Sequence, residues 1–156
     1  GSTMAITIEK TQIHDYVNRQ LDATDWFQVT QEQINIFADC TLDKQYIHVD
    51  PEASQKTPFG STIAHGFLTL SMLSYFSEQY NVLISGLQMG INKGFNKIRF
   101  LAPVKVGSYI RCHAKIIDIT EKKPGQFDFI TEATVEIQGE DKPALVAEWL
   151  SVQMVK

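Results

Sequence analysis

Two residues five positions apart offer the clearest opportunity for chemistry in this sequence. They are Asp43 and His48, in the stretch Asp43-Lys44-Gln45-Tyr46-Ile47-His48-Val49-Asp50-Pro51. A carboxyl group with an ordinary pKa of about 3.9 beside an imidazole of about 6.5 forms a workable proton-transfer pair near neutrality. Either group can take a proton from a water molecule while the other orients it. A separation of five puts the two side chains on different faces of a helix and on opposite faces of a strand. They meet only across irregular backbone, which Pro51 and a helix stop ahead of the pair make available.

A second cluster follows in Pro58-Phe59-Gly60-Ser61-Thr62-Ile63-Ala64-His65-Gly66-Phe67. Gly66 lies close to the start of an apolar helical stretch, where a residue without a side chain lets a ligand approach the backbone. Unpaired N–H groups and the positive end of a helix dipole favour negative charge developing there, such as that on an enolate oxygen. His65 either caps this helix or lines the pocket beside it. Asp43, His48, Asp50 and His65 match no standard zinc spacing, and no metal is expected.

The elements that must position these groups change character near the middle of the chain. Thr30-Gln31-Glu32-Gln33 is a capping-box pattern, and Ile34, Phe37 and Ala38 follow at helical spacing, which predicts a short helix from about Thr30 to Cys40. Residues 41–60 contain Pro51, Pro58 and Gly60 and cannot be one helix. From Thr62 to about Glu78 the sequence is apolar on every side, which predicts a buried helix. Beyond it, period-two alternation takes over. Phe127, Phe129, Thr131, Ala133, Val135 and Ile137 share one face, as do Ile110, Cys112, Ala114 and Ile116. A similar pattern begins at Ile98 and Phe100, and residues 144–155 read as an interior strand. Helices first and strands afterwards predict an α+β domain whose antiparallel sheet wraps round one buried helix.

Composition excludes several classes. The chain has 156 residues, 44% of them hydrophobic and 21% charged, with a formal net charge of -4. That length suits one domain; its bounds are taken as 4–156, with Gly1-Ser2-Thr3 read as a cloning remnant before Met4. No basic cluster marks a nucleic-acid or anionic membrane partner, and no apolar run reaches membrane-spanning length. The two cysteines, Cys40 and Cys112, form no disulfide framework; both read as small core residues, and the cytoplasm is the simplest compartment. His14 and His113 read as solvated, and Trp26 and Trp149 as core or interface aromatics.

These motifs resemble the MaoC-like dehydratase family and its (R)-specific enoyl-CoA hydratases. The family signature is Asp, four residues, His, then a His-Gly pair opening the central helix. Similarity is closer still to the nodulation-protein-N-like branch, through Trp26, Phe37-Ala38-Asp39, Ile47 to Pro51, Gly60 to Leu73, Asn96 to Phe100, and Lys142 to Trp149. The resemblance implies a hot-dog fold with a long central helix. It further implies syn addition of water to a 2-enoyl thioester, giving an (R)-3-hydroxyacyl thioester. Asp43 and His48 would hold and activate the water, and the Gly66 N–H would bind the thioester carbonyl. Ser74, nine after His65, would support the aspartate. Gln45-Tyr46 stand where the hydratases have Asn-Pro, so Gln45 would supply a longer amide and Tyr46 would reshape the pocket. Acyl-CoA is then the substrate, no further cofactor is needed, and a homodimer shares the acyl pocket across its interface. Two other readings stand beside this one: a hot-dog acyl-CoA thioesterase, and a non-catalytic acyl-thioester-binding protein.

Overall fold

A computed structural model describes residues 5–156; the expected remnant at residues 1–3 and the start at Met4 lie outside the described residues. Strands β1 (Ile6–Ile8) and β2 (Phe27–Gln28) precede helix α1 (Gln31–Thr41), the single turns α2 (Tyr46–Val49) and α3 (Pro51–Ser54), and helix α4 (Gly66–Tyr80). Strands β3 (Val82–Ile84), β4 (Leu87–Phe100), β5 (Tyr109–Lys123), β6 (Gln126–Ile137) and β7 (Leu145–Val155) follow. Five strands form one antiparallel sheet in the order β2-β5-β6-β7-β4, and β1 and β3 form a separate parallel pair. The sheet curls round α4 as the hot-dog reading requires.

Alternation decides which face of the sheet the helix meets. Ile110, Cys112, Ala114 and Ile116 of β5 are buried, as are Phe127, Phe129, Ala133, Val135 and Ile137 of β6. Ile116, Phe127 and Phe129 pack with Ile8, Val82 and Ile84. Ile110, Cys112, Ala114, Ala133, Val135 and Ile137 pack with Leu68, Leu73 and Phe76 of α4, whose Phe76 is fully enclosed. Burying a side chain of that size contributes roughly 1.5–3 kcal/mol. Strand β7 is interior, paired with β6 and β4, as its apolar sequence predicts.

Four details differ from the sequence reading. Helix α4 starts at Gly66 rather than Thr62, because residues 62–64 are held extended: the Ala64 and Val106 amides donate to Val104 and Thr62 carbonyls at 2.8 and 3.0 Å. One face of α4 is uncovered, leaving Phe67 67% and Tyr75 45% exposed, so the chain buries its apolar helix only in part. Strand β4 ends at Phe100 instead of beginning near Ile98. It is an edge strand with three register irregularities and glycines at 90 and 94, which erase the alternation that would have announced it. Finally, only half of the expected capping box forms: Thr30 Oγ1 accepts from the Gln33 amide at 3.2 Å, while Gln33 Nε2 reaches Met72 Sδ.

The polar surroundings of two residues also correct expectation. His113 is not simply solvated: its Nε2 lies 2.6 Å from Glu136 Oε1, which Arg111 Nε also meets at 2.7 Å. These contacts, the His113 one first, hold the Glu136 carboxyl below its ordinary pKa. Arg111 in turn covers the Trp26 ring, 4.2 Å from its centroid. Cys40 is exposed, because it falls on the outer side of α1, whereas Cys112 is buried as expected. Burial pushes the Cys112 thiol up to about 12. Titration of native protein with a thiol reagent at pH 8 should therefore modify Cys40 alone, with Cys112 reacting only in denaturant. Rapid modification of both thiols in the native state would contradict this packing.

Candidate active site

The backbone between Asp43 and His48 is irregular, as their spacing demands. Helix α1 stops at Leu42, which takes a left-handed conformation with φ 65°. A branched residue rarely adopts that region, and here it turns the chain so that the Asp43 carbonyl faces back towards α4. Single-turn helix α2 then carries His48 inward until it is only 7% exposed. Gln45 caps α2 through its backbone, its carbonyl accepting from the His48 amide at 3.0 Å. Tyr46 starts α2 with its side chain 55% exposed.

Two imidazoles meet at this junction. His48 and His65 stack with ring centroids 3.8 Å apart and planes inclined by 21°. Phe37 packs near His65, centroids 4.9 Å apart. Each imidazole commits one nitrogen to a backbone carbonyl. His48 Nδ1 lies 2.7 Å from the Ile63 oxygen, and His65 Nε2 lies 2.9 Å from the Asp43 oxygen. A carbonyl only accepts, so both contacts are N–H donations. In the neutral rings the lone pairs therefore sit on His48 Nε2 and His65 Nδ1, the latter buried without a hydrogen-bond partner.

Asp43, His48 and His65 each place one ligand-type atom within 4.8 Å of the others. The stacking makes this a poor metal cage. An imidazole lone pair lies in the ring plane, and two nearly parallel planes do not converge on one ion at the roughly 2.0–2.1 Å that zinc requires. A water molecule is less demanding. It can donate to the His48 lone pair and to the Asp43 carboxylate, which is itself exposed and only loosely met by the Gln45 amide at 3.5 Å.

Next to the imidazoles stands the start of α4. His65 is its N-cap and Gly66 its first residue. The Leu68 and Thr69 amides bond back to the His65 carbonyl, while those of Gly66 and Phe67 precede any intrahelical acceptor. Fifteen residues of aligned peptide dipoles end at this point. A β-carbon on Gly66 would lie 3.0 Å from the Phe100 ring, so glycine is what allows β4 to close over the helix end.

Gln31 is a positioning residue that the sequence reading overlooked. Its Nε2 donates to the His48 carbonyl at 2.8 Å, and its Oε1 accepts from Thr62 Oγ1 at 2.5 Å. One amide thereby ties α1, α2 and the segment before α4 together. The only local signal was its place in the capping pattern, which suggested a different role. Among the described residues no hydrogen bond joins Ser74 to Asp43: Ser74 is exposed, about 12 Å along α4 from Gly66, and it lines a recess with Leu70, Phe95 and Trp149.

The geometry fixes both tautomers, which can be read directly. In nitrogen-15 correlation spectra of the neutral protein, His48 should carry its proton on Nδ1 and His65 on Nε2. The reverse assignment at either ring would contradict the hydrogen bonds described. Gln31→Ala should lower stability by roughly 1–2 kcal/mol in denaturant unfolding, since it leaves two partners unpaired.

Known proteins resemble this chain over most of its length. Residues 12–137 match the MaoC like domain model. The 3-hydroxyacyl-thioester dehydratase Z of Mycobacterium tuberculosis is 46% identical over 125 residues, covering 80% of this chain and 82% of that protein. Nodulation protein N of Rhizobium meliloti is 38% identical over 146 residues, covering 93% and 91%. Among solved structures, a monoamine oxidase regulatory protein from an Archaeoglobus species superposes with a TM-score of 0.80 at 25% identity, covering 98% of this chain and 99% of that one. A chain whose Asp43–His48 pair and His65-Gly66 helix start lie within so extensive a match belongs to the MaoC-like dehydratase domain family.

Proposed function

We propose that the protein is a hydro-lyase, an (R)-specific 2-enoyl-CoA hydratase that also runs as a 3-hydroxyacyl-CoA dehydratase. The observation that carries this reading is the free lone pair of His48 beside the Asp43 carboxylate, adjoining the unpaired amide of Gly66. In hydration, His48 Nε2 takes one proton from a water that Asp43 orients. The water oxygen bonds to C3 while the C2–C3 π pair shifts towards the thioester. The carbonyl oxygen gains negative charge and accepts from the Gly66 N–H. The imidazolium then returns its proton to C2. Water and proton come from one face, which is syn addition, and dehydration is the same path reversed. These steps use no metal and no cofactor beyond the CoA thioester.

The relative named as a 3-hydroxyacyl-thioester dehydratase supports the reaction class. Thioester cleavage would instead need the activated water at the carbonyl carbon, whose oxygen the Gly66 amide holds, rather than at C3. No helix among the described residues is long and apolar enough to cross a membrane, and we place the enzyme in the cytoplasm. We also read it as a homodimer. Edge strand β4 exposes Met89, Ile91 and Phe100 along an unpaired edge, and α4 exposes Phe67 and Tyr75. Such an edge invites pairing with a second copy, which would also cover the helix.

Crotonyl-CoA should lose its enoyl-thioester absorbance on addition of enzyme, with little free CoA released. Asp43→Asn and His48→Ala should each lower kcat/KM by about 100-fold or more, the usual scale of a lost general acid–base group. Full activity in both variants would refute the assignment. Light scattering should give twice the chain mass, and Ile91→Lys on the β4 edge should shift the protein towards monomer.

A further inference from the structure

The concave face of the sheet is apolar at both ends and polar between them. Along β6 the inward residues run Phe127, Phe129, Thr131, Ala133, Val135. On β7 they are Leu145, Ala147, Trp149, Ser151 and Gln153, with Phe129 opposite Ser151 and Thr131 opposite Trp149. Thr131, Ser151 and Gln153 thus interrupt an apolar surface. The core is divided accordingly. One cluster joins α4 to Ala133, Val135 and Leu145, and another joins Ile8, Val82 and Ile84 to Phe127 and Phe129.

A cavity of about 210 Å³ lies where the polar positions fall, walled by Ser74, Ser77 and Tyr80 of α4 and by Thr131 and Ser151 of the sheet. Gln153 is already engaged, bonding the Ile84 amide and the Val82 carbonyl at 2.9 and 2.8 Å. Ser77 donates to the Ser74 carbonyl. The Tyr80 hydroxyl is buried with no partner and is closed off from the cavity, its ring alone contributing to the wall. Among the described residues, no hydrogen bond engages the side chains of Thr131 or Ser151 either. Thr131, only 7% exposed, and Ser151 therefore present uncommitted hydroxyls to whatever fills the cavity.

Two separate recesses lie along α4 between this cavity and Gly66. A recess at Leu70, Ser71 and Gly94 shares Ser74, Asn92 and Trp149 with the cavity. A further recess at Thr69 and Phe100 reaches Gly66. The three succeed one another along the seam between α4 and β4. By helical rise, Ser74 and Ser77 stand about 12 and 17 Å from Gly66. An extended chain advances roughly 1.2 Å per bond, so this is about ten to fourteen bonds.

We propose that this cavity receives the far end of an acyl chain bearing a hydroxyl or keto oxygen, with Thr131 and Ser151 selecting it over plain alkyl. The inference rests on the hydratase reading for where the thioester sits. Hydroxyls both donate and accept, so either oxygen function satisfies them, whereas methylenes strand them. A site built to bond a substrate oxygen discriminates strongly against the analogue lacking it.

The experiment compares two 2-enoyl-CoA substrates of equal length, one plain and one hydroxylated about a dozen carbons from the thioester. The expected kcat/KM ratio favours the hydroxylated substrate by about 10-fold or more. Thr131→Val with Ser151→Ala should bring that ratio to one or below; using a ratio within each protein removes any loss of folded enzyme. Equal or better turnover of the plain chain by the wild type, or a ratio unmoved in the variant, overturns the proposal. If crotonyl-CoA is not hydrated at all, the reaction assignment fails separately. Calorimetric binding of the matched saturated acyl-CoA pair then decides: tighter hydroxylated ligand upholds the cavity's preference, and equal affinity overturns it.

Discussion

The stacked pair of His48 and His65 constrains the rest of this site. Their rings lie 3.8 Å apart, and each gives its one N–H to a carbonyl of a different loop, Ile63 and Asp43 respectively. That arrangement does three things together. It docks the Asp43 loop against the cap of α4, it fixes which nitrogen of His48 keeps a lone pair, and it stands beside the unpaired Gly66 amide. A proton acceptor and a donor for negative charge are thereby held by one junction of three segments. Preorganisation of this kind is effective because nothing must rotate when charge develops.

The burden of holding that junction falls on backbone and amide groups more than on ion pairs. Gln31 bridges the His48 carbonyl and Thr62, and Ile63 is clamped through its amide to the Ile47 carbonyl at 3.0 Å. Leu42 accepts a left-handed backbone to make the turn. Residues in sparsely populated regions persist where their surroundings over-determine them, and they concentrate at functional sites. The salt bridge nearest the turn, Lys44 to Asp39 at 3.5 Å, is mostly exposed and contributes little.

Much of this was legible in the sequence, and the physical reasons are specific. Strands β5 and β6 bury one face against the helix, so period-two alternation from Ile110 to Ile116 and from Phe127 to Ile137 identified both strands and their inner faces. The irregular link between Asp43 and His48 followed from their spacing alone. Strand β4 was obscured because it is an edge with bulges and glycines, buried on neither face. The start of α4 was misplaced because the extended residues 62–64 are as apolar as the helix, and their conformation is set by distant carbonyls. Cys40 showed helical spacing but not which side of α1 would be covered. Gln31 and the engagement of His65 were invisible because each acts on a backbone carbonyl far away in sequence, and backbone groups leave no residue-type signature. Ser74 illustrates the converse. Its position fitted a pattern, yet helical rise carries it along α4 to a different recess.

Single-face delivery of water and proton is the central claim, because the same imidazole is asked to take the first proton and return it. Hydration of crotonyl-CoA in deuterium oxide tests it most directly, with the product's C2–C3 proton coupling and C3 configuration determined by NMR and chiral analysis. One deuterium at C2, syn to the new hydroxyl, in (R)-3-hydroxybutyryl-CoA is the predicted product. An anti or scrambled label, the (S) product, or free CoA in place of hydration would contradict the account.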